Sequence, residues 1–486
     1  MNQLQKFFTK FITPGAWLAS IIYAAVSAWM LKGVLAPWLL DGMAFNEIRI
    51  IQRAILVSGA LLAFAVLFVL LFFVLIKSRP ELAAALETDR SIIFVIGTAL
   101  AVLLRISFFE FESADYLTGP YVWYLKLEEQ GFQAFREGFE PYTPAYVYLL
   151  YIMQLLFPRM AILVAVKSVA VLFDLICATI VYKIVRLRYD QPSSFMPMLA
   201  FFVALFSPTL VMNSSLWGQG DIFYATAVMA AFYLLLSRKE ALACLLLGAA
   251  FSVKLQGLFL LPLFLALFFK RRVKWTYFLL IPLVYFLFIL PSWIAGRSLF
   301  DLLTIYFSQM STFRVLSNNA PNMHLWLPQG LYGMFYKAGL LWTMAILFLY
   351  VLVVYKSRVR LTAPILVQLG MVSVFMVPFF LPKMHDRYFF LADILAIVYA
   401  FYYPKYFFVP IVIILSSFFA YQPFLFVQEV FPLENFSLAL LAVMAVLSYK
   451  LLRTLHPELV SQVFHANHSA DESVELKSAD GGGSGG

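Results

Sequence analysis

Asp115 closes the run Phe108-Phe-Glu-Phe-Glu-Ser-Ala-Asp-Tyr116, a few residues after a long apolar stretch ends. A carboxylate at that depth lies beside the plane of lipid headgroups, where it can take the proton of an attacking hydroxyl as a general base. The same residue would also serve as a solvated loop acid, or as a cap for a helix starting at Tyr116. Glu112 and several further acids share the segment as far as Glu140. A second polar cluster, Asn213-Ser-Ser-Leu-Trp-Gly-Gln-Gly-Asp221, sits between two apolar runs. Trp217 offers a flat apolar face and Gln219 a bidentate amide, both suited to a sugar. Asp221 opens the next apolar run and fits either helix capping or a polar contact with substrate.

Two further segments place cations at similar positions. Ser252-Val-Lys-Leu-Gln-Gly257 interrupts a pair of short apolar runs, and Lys254 and Gln256 are costly there unless they face water or a partner. Lys254 can contact a phosphate or snorkel to the interface. Phe379-Phe-Leu-Pro-Lys-Met-His-Asp-Arg-Tyr388 carries Lys383, His385 and Arg387 beside Asp386. Three potential cations next to aromatic residues suit an anionic lipid phosphate, the alternative being an interfacial anchor with an internal Asp–Arg pair. The stretch 311–326 adds Arg314, Asn319 and Asn322 as hydrogen-bonding candidates, in a sequence whose Asn and Pro also favour plain turns. His385 and His324 lack the close ligand spacing of a metal site, so no divalent metal or other cofactor is expected. A Gly-rich nucleotide loop, a Ser-His-Asp signature and a cytoplasmic catalytic domain are all lacking.

The elements that must position these residues are membrane helices. Of 486 residues, 63% are hydrophobic and only 13% charged, against roughly half and a quarter in soluble domains. A soluble domain, a secreted disulfide scaffold and a disordered chain are thereby excluded. Apolar runs at 16–36, 54–76, 91–109, 160–185, 195–213, 221–236, 240–253, 256–269, 275–295, 333–355, 363–381, 388–402, 405–421 and 434–452 predict an all-α polytopic bundle of about 14 spans. The runs at 240–253 and 256–269 are short and predict a hairpin turning within the membrane, its turn buried or facing a wet cavity. The run from Gly15 reads as a first span, with no cleavable signal peptide. Cys177 and Cys244 lie inside apolar runs and predict no disulfide. The Gly/Ser-rich run at 478–486 reads as an appended linker.

Orientation follows from charge. Lys and Arg concentrate in alternate short loops, among them Lys183 to Arg188, Lys270 to Lys274 and Lys356 to Arg360. That bias predicts both termini in the cytoplasm and explains the net charge of +9 without a nucleic-acid partner. The long segments 110–159 and 296–332, and the short turns near 214–220, 254 and 382–387, then fall together on the other face. A transporter or lipid-linked sugar flippase is the competing class. It would more often show matched halves and charges buried in mid-span, whereas these spans read as mostly clean.

In this order, Phe111-Glu-Ser-Ala-Asp-Tyr116, Tyr142-Thr-Pro144, Asn213-Ser-Ser-Leu-Trp-Gly-Gln-Gly-Asp221, Lys254-Leu-Gln256, Asn319-Ala-Pro-Asn322 and Leu381-Pro-Lys-Met-His-Asp-Arg-Tyr388 resemble the bacterial GT-C glycosyltransferases related to the GPI mannosyltransferase II family. Ala114 stands where that pattern has glycine, and Gly220 where cysteine is common. The resemblance covers about 91–402. It implies a catalytic module over 91–452, preceded by two spans over 1–90 that look like an addition and followed by a tail over 453–486. It also implies a bacterial inner-membrane enzyme that moves a hexose, mannose first, from a polyprenyl-phosphate donor to a glycan, lipid or glycolipid hydroxyl on the outer face. Asp115 would be the base. Arg387, His385, Lys254 and Lys383 would hold the donor phosphate. Glu112, Trp217, Gln219, Asp221, Gln256, Arg314, Asn319 and Asn322 would contact sugar or acceptor. Inverting displacement would set Asp115 and Arg387 on opposite walls of one cavity, about a sugar's width apart, with a lateral groove for the lipid near 254 and 382–387.

Overall fold

The computed structural model describes residues 90–458, apart from 192, 193, 313 and 428. The expected spans at 16–36 and 54–76 and the linker at 478–486 lie outside them. The described chain is helical: α1 (Arg90–Ile106), α2 (Ala114–Thr118), α3 (Pro120–Gln130), α4 (Ala145–Leu156), α5 (Ile162–Arg186), α6 (Met196–Leu205), α7 (Pro208–Val211), α8 (Asp221–Leu236), α9 (Glu240–Val253), α10 (Leu261–Phe269), α11 (Trp275–Phe278), α12 (Leu280–Ile294), α13 (Leu299–Thr312), α14 (Tyr332–Lys356), α15 (Ala363–Phe380), α16 (Phe390–Tyr402), α17 (Phe408–Phe426) and α18 (Leu433–Leu455). The one two-stranded pairing is parallel, β1 (Ser317–Asn318) with β2 (Met384–His385), and it ties the 296–332 segment to the 381–389 turn.

Among the described residues, six helices are long and apolar enough to cross a membrane, or seven if α6 and the segment Pro208–Trp217, bent by 45°, form one span. The expected spans at 91–109, 221–236, 240–253 and 256–269 are apolar helices of fewer than 18 residues, and 388–402 is represented by the 13 residues of α16. Their shortness has a packing reason. α8 and α16 are almost wholly enclosed by other helices, so their apolar length need not match a lipid bilayer. α15 has 78% of its apolar window buried and α14 only 22%, which puts α15 at the centre and α14 against lipid. Cys177 and Cys244 are buried and free, as expected.

The spans are less clean than the sequence suggests. Arg105 on α1 donates from Nε to Asp174 on α5 at 2.7 Å, both side chains at most 1% exposed. Its Nη2 donates to Leu205 O at 2.8 Å, at the α6–α7 bend. A charge this deep is tolerated because each member is paired and further hydrogen-bonded. The pair therefore braces the bend rather than lining a path.

The two long segments expected as loops fold into short helices. Over 110–159 they are α2, α3, a 3-10 turn and α4, with Trp123 set edge-on to Tyr142 and Tyr146. A buried ion pair at 2.6 Å, Arg297 to Glu140, joins this segment to the 296–332 segment. Burial pushes the Glu140 carboxyl up and Arg297 pulls against it. The opposite end of the bundle is basic: Arg272 holds Glu240 at 3.1 Å, and Lys270 donates to Ser357 O.

Candidate active site

The polar ends of α1, α5, α8, α9, α15 and α16 converge at one end of the bundle. Three carbonyls of the turn after α1 point at Lys167 of α5, whose buried ammonium donates to Phe108 O at 2.9 Å, Phe109 O at 3.3 Å and Phe111 O at 2.6 Å. Lys167 falls inside the apolar run 160–185. The cost of a lysine in an apolar run was the available signal that it must have acceptors. The turn it fixes leads into α2, whose cap is Ser113: its Oγ accepts from Tyr116 N at 3.1 Å and donates to Trp217 O at 2.7 Å. Asp115 is thus not the cap, and its carboxylate is free for other work.

That carboxylate is held by one oxygen. Oδ2 accepts from Trp217 Nε1 at 3.0 Å and from Gln219 Nε2, and Arg387 Nη2 lies 3.7 Å away. Oδ1 has no protein donor among the described residues, and the side chain is 31% exposed. Trp217 and Gln219 reach Asp115 because α7 runs into a π-helix, Met212–Trp217, that ends at Gly218 with φ 76°. A side chain is strained at that φ, so glycine is needed there. Asn213 O accepts from the backbone N–H of both Gly218 and Gln219, closing the turn.

The flat face of Trp217 is not available to a sugar. It stacks on Phe424 at 5.1 Å, carries the Arg387 guanidinium 5.0 Å from its centroid, and is 0% exposed. Gln219 is likewise engaged at both ends, since its Oε1 accepts from Arg387 Nη1. Asp221 is fully buried in the first turn of α8, where Gly220 is the cap residue. Its carboxylate accepts from Asn213 Nδ2 at 3.0 Å and from Lys254, and lies 3.7 Å from Arg387. Trp217, Gln219 and Asp221 are therefore supports for Asp115, Lys254 and Arg387, not sugar contacts in this arrangement.

Arg387 meets Asp115, Asp221 and, at 3.5 Å, Asp386. Asp115 and Arg387 do share one site, but in contact rather than a sugar's width apart. Opposite charges in a poorly solvated site attract too strongly to stand off from each other. Burial pushes Asp386 up to about 7 against the pull of Arg387. Lys254 lies 5.5 Å from the Tyr142 ring and 5.9 Å from the Tyr388 ring, a cation held between two aromatics. Those tyrosines escaped the sequence reading, although both sit inside its motifs. Thr143, between Tyr142 and Pro144, donates to Ser252 O and so fastens α4 to the end of α9.

His385 is not a third cation. Burial, with Arg387 and Lys254 nearby, holds it down at about 4. Asn318 Nδ2 lies 2.9 Å from its Nδ1, and since an amide N–H can only donate, Nδ1 accepts and the neutral ring carries its proton on Nε2. Lys383, at φ 64°, lies over the rings of Tyr332 and Tyr336 at 5.7 and 5.2 Å. Asn319 pairs with His385 across an isolated bridge. Asn322 is fully buried and spent on structure, with Oδ1 accepting from His324 N and Nδ2 donating to Pro378 O and Leu381 O. Its amide is thus engaged within the protein. Gln256 is buried beside Lys254, with Oε1 unpartnered. Glu112 and Arg314 are exposed and not tied to the cluster among the described residues. Among those residues, no three His, Cys, Asp or Glu gather where they could hold a metal ion.

An apolar helical bundle with a braced carboxylate and cations gathered at one end defines a polytopic membrane protein with the makings of a group-transfer site. The family model of glycosyltransferase family 87 matches residues 141–382, just under half of the chain. The match indicates a membrane glycosyltransferase and supports a GT-C-like type. It includes Trp217, Gln219, Asp221 and Lys254, while Asp115 and Arg387 lie on either side of it. No curated protein matches the chain.

Proposed function

We propose that the protein transfers a hexose, mannose in the first instance, from a polyprenyl-phosphate donor to a hydroxyl of a glycan, lipid or glycolipid acceptor, with inversion. The observation that carries this reading is the state of Asp115: in a side chain that is 31% exposed, one oxygen is braced by Trp217, Gln219 and Arg387, and the other has no donor among the described residues. Bracing fixes the carboxylate's direction, and the open Oδ1 is the atom that takes the acceptor's proton. The acceptor oxygen bonds to the anomeric carbon as the bond from that carbon to the phosphate oxygen breaks. Its electron pair stays on the departing polyprenyl phosphate. Arg387 and Lys254 offset that developing charge, and His385 contributes a neutral N–H. Arg387 must loosen from Asp115 as phosphate enters, because the two are in contact. Gln256 Oε1 is an acceptor for a sugar hydroxyl.

The outer side of a bacterial inner membrane is the proposed location of the site, both termini being cytoplasmic. Support comes from the basic loops gathered at the opposite end of the bundle. A nucleotide-sugar is confined to the cytoplasm, so an outward-facing site calls for a lipid-borne donor. We also propose that no divalent metal is required, since side-chain cations sit where the phosphate would be. The relation to the GPI mannosyltransferase II family rests on the motifs alone. The test is transfer of labelled hexose by the purified protein in detergent with EDTA present. Use of polyprenyl-phosphate hexose and not nucleotide-hexose is expected. Use of nucleotide-hexose, or strict dependence on magnesium or manganese, overturns the reading.

A further inference from the structure

At the end of the bundle away from Asp115, a cavity of about 560 Å³ opens between the α8–α9 turn, the α10–α11 turn and the segment after α14. Arg238, Lys270, Arg271, Arg272 and Arg360 line it against one acid, Glu240. Some of that charge is spent: Arg272 holds Glu240 at 3.1 Å and donates to Leu235 O at 2.6 Å, and Lys270 donates to Ser357 O. Arg238, Arg271 and Arg360 are exposed. Arg238 and Arg271 stand at φ 62° and 55°, so two tight turns bring cations to the cavity at some backbone cost. Arg272 adds an independent observation. Its side chain is 9% exposed, yet its Nη1 is buried without a hydrogen-bond partner among the described residues. A guanidinium N–H left unpaired at a cationic cavity calls for an acceptor with charge to spare.

We propose that this cavity binds a phosphate-type anion, and that the phosphodiester headgroup of an anionic membrane lipid is its source. A free phosphate would satisfy the same cations. Exposed apolar side chains close in sequence to the lining favour the lipid: Phe269 precedes Lys270 and meets Tyr355 at 6.1 Å, the two being 51% and 49% exposed, and Leu242 and Trp275, two and three residues after Glu240 and Arg272, are 50% and 63% exposed. Acyl chains can lie on these side chains while the headgroup enters the cavity. Basic pockets between membrane helices on the positively biased side bind anionic headgroups in this way. The inference is independent of the chemistry at Asp115.

The experiment uses the delipidated protein in neutral detergent, titrated with phosphatidylglycerol, phosphatidylcholine or inorganic phosphate while thermal unfolding is followed. Phosphatidylglycerol should raise the midpoint and phosphatidylcholine should not. The triple variant Arg238→Gln, Arg271→Gln, Arg360→Gln should weaken phosphatidylglycerol binding on the order of a hundredfold, taking roughly fivefold per cation. It should leave hexose transfer in detergent unchanged, which separates this site from the catalytic one. An equal rise with inorganic phosphate, abolished in the triple variant, would keep the anion site and overturn the lipid as its source. Equal responses to the two lipids, or full phosphatidylglycerol binding by the triple variant, would overturn the site itself.

Discussion

Replacing Asp115 with Asn tests the base directly, because the structure separates its two oxygens. The amide oxygen of Asn can take the place of Oδ2 and still accept from Trp217 and Gln219. The amide nitrogen then stands where Oδ1 was and cannot accept a proton. General-base catalysis contributes about 10²–10⁴-fold, so turnover should fall by that factor, about 3 to 5 kcal/mol on the barrier. The competing effect is loss of charge beside Arg387. At 3.7 Å the gross attraction is roughly 4 kcal/mol for an effective dielectric near 20. Asp115 is 31% exposed, so solvent leaves about 1 kcal/mol of that net. Arg387 also keeps Asp221 at 3.7 Å and Asp386 at 3.5 Å, so it should stay in place. Donor affinity should therefore hold within about fivefold, by the same 1 kcal/mol. Single-turnover transfer with saturating donor, alongside equilibrium donor binding, separates the two quantities. Turnover within fivefold of the parent, in a variant of unchanged melting temperature, refutes the assignment. So does a loss seen only in donor affinity.

Trp217→Phe keeps the ring on Phe424 and removes the donor to Asp115, a hydrogen bond to a charged group worth about 1.5–3 kcal/mol. Turnover should drop about tenfold or more with donor affinity unchanged, and steady-state kinetics with both parameters resolved will show it. Asp221→Asn breaks the buried pair with Lys254 and should lower stability by about 3–5 kcal/mol. Pairing it with Lys254→Met should recover much of that in thermal melts without restoring transfer; recovery of transfer would remove Lys254 from the donor site. The acid limb of stability carries His385. Its ring is held at about 4 in the fold, whereas the unfolded chain protonates near 6.5. The stability from this group is complete above about pH 6.5 and is lost as pH falls toward 4, up to about 3 kcal/mol. His385→Asn should flatten melting temperature between pH 4 and 7, and an acid limb as steep as the parent's would contradict the burial argument.

The convergence of Asp115, Asp221, Lys254 and Arg387 was legible in the sequence, since polar residues at the ends of apolar runs must share one face or the other. Their partners were not. Residue type says that Trp217 has a flat face, but not that Phe424 and Arg387 already cover it. Asn322 looks like a polar contact until the carbonyls of Pro378 and Leu381 claim its amide. Backbone acceptors leave no mark in side-chain patterning, so nothing in the sequence shows the carbonyls of Phe108, Phe109 and Phe111 that hold Lys167. His385 reads as a potential cation because its reference pKa lies near neutrality, and burial beside two true cations takes that charge away. Apolar length did give helix extents, since the runs at 221–236 and 240–253 are α8 and α9 residue for residue, but it could not tell a lipid-facing span from a helix such as α16, apolar all round because protein surrounds it.

The bridge made by Gln219 joins distant stretches of chain. It lies 104 residues after Asp115 and 168 before Arg387. At ~5–20 residues per second, roughly ten to thirty seconds of synthesis separate Gln219 from its guanidinium partner. Through that interval a nascent chain holds the base and its brace but not the cation that completes them. Any fragment that ends between Gln219 and Arg387, by a stalled ribosome or a protease, carries Asp115 and Gln219 without the guanidinium that joins them. On the proposed function, competence for sugar transfer arrives only once Arg387, in the last quarter of the chain, has been made and seated, so inert intermediates are built into the order of the chain.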